Sequence, residues 1–122
     1  MPAHENHNTT FKVNGINVYK ILPKAFHNYR NITRGNSKIS YLTARKKLTR
    51  NIQVSLKVDS FIDKYGEECN IYHYGSLQII TRGDTIVYVD KLKERNEDFI
   101  FHKRKAEKVS NRLELKFEGK YK

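Results

Sequence analysis

Residues 37–58 read SKISYLTARKKLTRNIQVSLKV, and the fold turns on a change of period inside them. In the first part Tyr41, Ala44, Leu48 and Ile52 recur every three or four positions, which at 100° per residue puts them in one narrow stripe. That spacing predicts a helix over about 38–51, with Ser37 as its N-cap and Asn51 as a left-handed stop. From Ile52 the apolar residues fall on every second position, through Val54, Leu56 and Val58, with Gln53, Ser55 and Lys57 between them. A period of two is a strand with one buried face. A helix that passes straight into a strand excludes both all-α and all-β folds.

Working outward, Asn14-Gly15 separates two short alternating runs within residues 11–21 and supplies the positive φ angles of a type I′ hairpin turn. Residues 24–33 read as a short helix with Phe26 and Tyr29 inward, closed by Gly35. Beyond the central stretch, a turn at Tyr65-Gly66-Glu67-Glu68 introduces strands over Cys69–Tyr74 and Ser76–Thr81. Arg82-Gly83-Asp84 then turns into a strand over Thr85–Asp90. Phe99, His102, Ala106, Val109 and Leu113 are spaced 3, 4, 3 and 4, a helical stripe over about 97–112 with Asn96 as its cap. Leu113, Leu115 and Phe117 alternate and close the sheet as a short last strand. The expected fold is α+β: a small, mainly antiparallel sheet with an N-terminal hairpin and two principal helices. Residues 11–122 form a single compact domain behind a flexible tail, 1–10.

The 122 residues suit one domain, and 24 Lys and Arg against 13 Asp and Glu give a formal net charge of +11. No apolar run approaches the roughly 20 residues of a membrane-spanning helix, and the lone Cys69 excludes a disulfide scaffold. Polar residues follow Met1 where a secretory signal would place an apolar run, so a cytoplasmic location is expected, in a host cell or a virion. Lys 16, Asn 11, Ile 11, Tyr 8 and Phe 6 point to an AT-rich genome, such as that of a low-GC bacterium, its phage or a virus.

The charge is unevenly spread. Residues 6–58 hold no acid, where an even scatter would place about five or six. They hold eleven basic residues, whereas residues 59–122 carry 13 basic and 12 acidic ones. Codon usage alone can write many lysines into a surface that faces only water, but it explains the missing acids less well. Uncompensated like charges repel, so a stretch without acids is expected to face a polyanion. The expected partner is nucleic acid, DNA or RNA, held at its phosphates by Arg30, Arg34, Lys38, Arg45, Lys46, Lys47 and Arg50, with Tyr29 stacking on a base. Lys46 and Arg50 lie opposite the apolar stripe of the central helix, and Arg45 beside it. Residues 24–51 also admit a helix-turn-helix, the second helix reading.

Three alternatives stand beside that reading. A virion structural or assembly protein, or an inhibitor docking on an acidic protein surface, accounts equally well for the acid-free half. A small metal-dependent nuclease would use Glu114 and Lys116 of a Glu-X-Lys strand with Asp84, Asp90 or Asp98. A metal-independent ribonuclease would draw on His27 or His73, while His102 on the apolar stripe reads as a core histidine. Glu118-Gly119-Lys120 repeats the Glu-X-Lys pattern by chance, no phosphate-binding glycine loop or zinc spacing is present, and Cys69 after two acids is no thiolate nucleophile. No catalytic residue, metal ligand or cofactor is therefore assigned, and no membrane partner is expected.

Overall fold

The computed structural model of the chain describes residues 9–33 and 35–116. Asn14 and Gly15 both adopt positive φ, 48° and 84°, as a type I′ turn requires. They fold Phe11–Val13 (β1) back on Ile16–Val18 (β2), with Phe11 opposite Val18. The chain then runs through Lys20–Ile21 (β3) to Pro23–Ile32 (α1), whose proline occupies the first helical turn where its missing N–H costs nothing. Next come Tyr41–Gln53 (α2), Leu56–Ile62 (β4), Glu68–Tyr74 (β5), Leu77–Arg82 (β6), Thr85–Lys91 (β7) and Lys103–Arg112 (α3).

The fold is α+β, with three helices and two sheets among the described residues. β1 and β2 form the small hairpin sheet. The larger sheet has the order β3-β7-β6-β5-β4, an antiparallel meander with β3 added in parallel at its far edge. The cross-strand pairs Tyr74–Leu77, Ile79–Val89 and Thr81–Ile86 put one face of the sheet into the core. Tyr29 of α1, Ala44 and Leu48 of α2, and Ala106 and Leu113 at α3 pack into the same cluster. The opposite face carries the row Asp59, Ile71, Ile80 and Tyr88, with Tyr88 exposed.

The structure corrects several expectations about the elements. Residues 36–39 form turns, Ile39 N–H donating to Asn36 O, so α2 starts later and Ser40 caps it, its Oγ accepting from Thr43 N–H at 3.1 Å. Asn51 does not stop that helix; it is fully buried within it, and α2 runs on to Gln53. Ile52 and Val54 are therefore buried by the helix end, and the strand begins at Leu56 as the outer strand of the sheet. Leu56 is half-buried and the rest of β4 is exposed, because an outer strand has one neighbour and a bulge between Lys57 and Asp59 interrupts its alternation.

The helix expected from 97 starts at Lys103, because Asp98 N–H bonds Asn96 Oδ1 and Phe99 N–H bonds Asn96 O, a local turn that competes with the helix. Phe99 is still buried, from a loop. After α3, Glu114 takes φ 60° while Leu115 N–H donates to Ser110 O and Glu114 N–H to Asn111 O. This is a Schellman stop, so residues 113–115 cap a helix and do not form a strand. Phe117, and most of the expected tail, lie outside the described residues.

Candidate nucleic-acid interface

The acid-free half supplies cations, but the fold takes several of them inside. Arg45 is fully buried. Its Nε–H donates to Tyr19 O at 2.8 Å and its other N–H groups to Thr9 O and Val18 O at 2.8 and 3.4 Å. The guanidinium also lies 4.8 Å from the Phe11 ring centre. Among the described residues β2 pairs only with β1, and Arg45 supplies donors to carbonyls at the open end of that hairpin, those of Thr9, Val18 and Tyr19. Burial pulls the Arg45 pKa down from its ordinary value, opposed by the Tyr41 hydroxyl. Neighbouring α2 side chains do the same work: Thr49 Oγ1 accepts from Tyr19 N–H at 3.0 Å, and Tyr41 Oη bonds both Ile21 N–H and Ile21 O.

Tyr29 is also fully buried and so cannot stack on a base. Burial pushes its pKa up to about 12, against the opposing pull of Arg50 and the Asn36 and Asn51 amides. Arg50, nearly buried, donates through Nε and a terminal nitrogen to Asn51 Oδ1 at 3.1 and 2.9 Å. Lys47 Nζ reaches Asn36 Oδ1 at 3.0 Å. Arg30 bonds Ser37 O at 3.0 and 2.6 Å, and Lys46 lies 3.8 Å from Glu114. Lys38 is exposed, and Arg34 lies outside the described residues. Tyr29, Arg45 and Arg50 are thus turned inward, while Arg30 and Lys47 both bond the turn at residues 36–37. The helical projection of α2 misplaced Arg50 because it ignores what packs over a helix; the Arg50–Asn51 pair faces Tyr29 of α1.

The exposed cations cluster elsewhere. On α3, Lys103, Arg104, Lys105, Lys108 and Arg112 are exposed, with Glu107 the single acid of the helix, while Ala106, Val109 and Ser110 turn inward. Arg104, Lys108 and Arg112 follow one another at i+4, a row about 12 Å long at 1.5 Å per residue. Among the described residues none of the five takes part in an ion pair. Three of them sit in the first turn, at the positive end of the helix dipole, where no acid is present and His102 makes no side-chain cap. The sequence reading missed this row because it averaged the second half to a near-zero charge. A ten-residue count over 103–112 finds five cations and one acid.

The row ends at a cleft. Arg112 donates to Asn14 O at 2.9 Å and accepts through its own carbonyl from Asn14 Nδ2 at 2.7 Å, which fastens α3 to the hairpin tip. Between that tip and the β6–β7 turn lies a cavity of about 660 Å³, whose walls include Asn17, Gln53, Gly83, Asp84 and Arg112. Asp84 is half-exposed, 3.5 Å from Lys20.

The residues weighed for catalysis are dispersed. Glu114 is on a helix cap, not a strand, and among the described residues no three His, Cys, Asp or Glu side chains group to hold a metal. His73 is fixed between Gln78 Oε1 at 2.9 Å and Asn96 Nδ2 at 2.8 Å; His27 is exposed, and so is His102, which is no core histidine. Cys69 is buried, and burial first, then Asp63, raises its thiol pKa. No described helix is long and apolar enough to cross a membrane.

Neither the curated proteins nor the solved structures contain a match to this chain. The model of one family, described as YorE, a name of the phage type, matches residues 19–112. That span runs from just before β3 to the last residue of α3 and takes in most of the core. With more than half of its length matched, the chain belongs to the YorE family.

Proposed function

We propose that the protein is a small phage-encoded nucleic-acid-binding protein that holds phosphates along the exposed face of α3. The observation that carries this reading is the row Arg104, Lys108 and Arg112 with Lys103 and Lys105 beside it, exposed and in no ion pair among the described residues. Like charges at i+4, and cations at a helix N-terminus, each cost a few tenths of a kcal/mol or more. A polyanion laid along the row reverses the sign of both effects, and it meets the positive helix end as well. The phage-type family name and the AT-rich composition agree with a phage gene. The acid-free half contributes scaffold as well as charge: Arg45 ties α2 to the chain between β2 and β3 through Tyr19 O.

The test is fluorescence anisotropy of labelled oligonucleotides over a salt series. Replacing Arg104 and Lys108 together by Gln should lower the slope of log K against log salt by about 1.5 to 2, one phosphate contact per cation. Replacing exposed Lys24 and Lys38 by Gln makes the same change in net charge and should leave the slope nearly as it was. Equal slopes in all three proteins would place the contact elsewhere. No binding at low salt would retire nucleic acid and leave an acidic protein surface as what the row meets.

A further inference from the structure

We infer that the cleft beside Arg112 is a pocket for one unstacked nucleobase bearing an exocyclic amino group, which makes the ligand of the α3 row a single strand. The inference rests on the phosphate-binding reading of α3 and adds to it a site with different chemistry. Arg112 belongs to both features: it ends the basic row and stands at the cleft wall, its guanidinium held to the hairpin tip through Asn14 O. A backbone following Arg104, Lys108 and Arg112 therefore arrives at the mouth of a cavity of about 660 Å³, within the range of small-molecule sites.

The walls of that cavity do not suit a phosphate. Asp84 is an anion, half-exposed, 3.5 Å from Lys20 and accepting from the Thr85 hydroxyl at 3.0 Å. Asn17 and Gln53 offer both amide donors and amide acceptors. That set complements the edge of a base. The carboxylate accepts from an amino group, while the amides match ring nitrogens and carbonyls. Gly15 and Gly83 leave the two turns that frame the cleft without side chains, and a Cβ at Gly83 would meet nothing within 4 Å. In a duplex the amino edge is paired and its base stacked, so entry requires a single strand, an end or an extruded nucleotide.

The experiment compares fluorescein-labelled dC12 and dT12, pyrimidines that differ in amino against carbonyl at C4, in the proton at N3 and in the C5 methyl of thymine, with a duplex of mixed sequence. Wild-type protein should bind dC12 about fivefold or more tighter than dT12, and the duplex more weakly than dC12. Asp84→Asn should bring dC12 and dT12 within about twofold of each other while leaving the salt slope unchanged. Gln53→Ala, at an exposed position ending α2, should weaken dC12 without weakening the duplex. Arg104→Gln with Lys108→Gln should weaken dC12 and dT12 alike and preserve their ratio. Equal binding of dC12, dT12 and duplex, with a slope that still depends on the α3 row, would overturn the cleft alone. So would a dC12 preference that survives Asp84→Asn and Gln53→Ala. Failure to bind any probe at low salt would overturn the phosphate row as well.

Discussion

Tyr29 and Arg50 bring a phenol and a guanidinium together out of water, and the pair makes the alkaline stability of the domain legible. Tyr29 ionises near 10 in an unfolded chain, and burial pushes it up to about 12 in the fold. A pKa raised by folding means that the folded state holds the proton longer. The associated stability is complete below pH 10 and is lost as the pH rises from 10 through 12. Urea denaturation over pH 9–12 should show that fall, and Tyr29→Phe should flatten it by about 2–3 kcal/mol over the same interval. A wild-type profile as flat as that of Tyr29→Phe would show that the hydroxyl ionises freely. At this scale Asn14-Gly15 was readable because a positive φ restricts residue choice, as the observed angles bear out. Tyr29, Arg45 and Arg50 were not, because residue type alone sends a cation outward. What brings Arg45 inside is the set of carbonyls of Thr9, Val18 and Tyr19, which only the assembled hairpin brings together.

At the scale of elements, the periods were readable and the ends were less so. Apolar spacing identified α1, α2 and the meander β5–β7 because it reports which face is buried. It could not tell Ser37 from Ser40 as a cap, because both precede the same stripe. Ser40 accepts from Thr43 N–H, so Ser40→Ala should cost about 1 kcal/mol, and Ser37→Ala a few tenths, in parallel denaturation curves. A larger cost at Ser37 would return the helix start to the position first read from the sequence. The same limit applies at α3, where Asn96 does organise a turn but through Asp98 and Phe99, seven residues ahead of the first helical residue. The spacing of Phe99 with Ala106 and Val109 is real as a pattern of burial and misleading as a pattern of helix.

Across the whole molecule, exposed charge is concentrated by element and not by halves of the chain. Asp59, Glu67, Glu68, Asp84 and Asp90 lie on the strands and turns of the large sheet, while α3 presents cations. Counting by halves saw the deficit of acids before residue 59 correctly, yet could not see that folding would internalise three of the candidate side chains drawn from it. The expected partner class came from that deficit; the surface offered for it came only from the packed helices.

The parallel seam between β3 and β7 has a kinetic consequence. Strands β4 to β7 each pair with the strand next to them in sequence, so the meander closes only short loops. Lys20 and Ile21 instead meet Thr85 and Ile86, across about half of the chain. Closing that long loop is entropically costly before any contact repays it, so the meander should assemble first and the N-terminal hairpin dock late. Stopped-flow folding resolves the order: Ile79→Val should mainly slow refolding, and Ile21→Val should mainly speed unfolding. The reverse assignment would make the seam the nucleus. On the expected order, the β2–β3 side of the cleft is the last part of the protein to form and the first to let go.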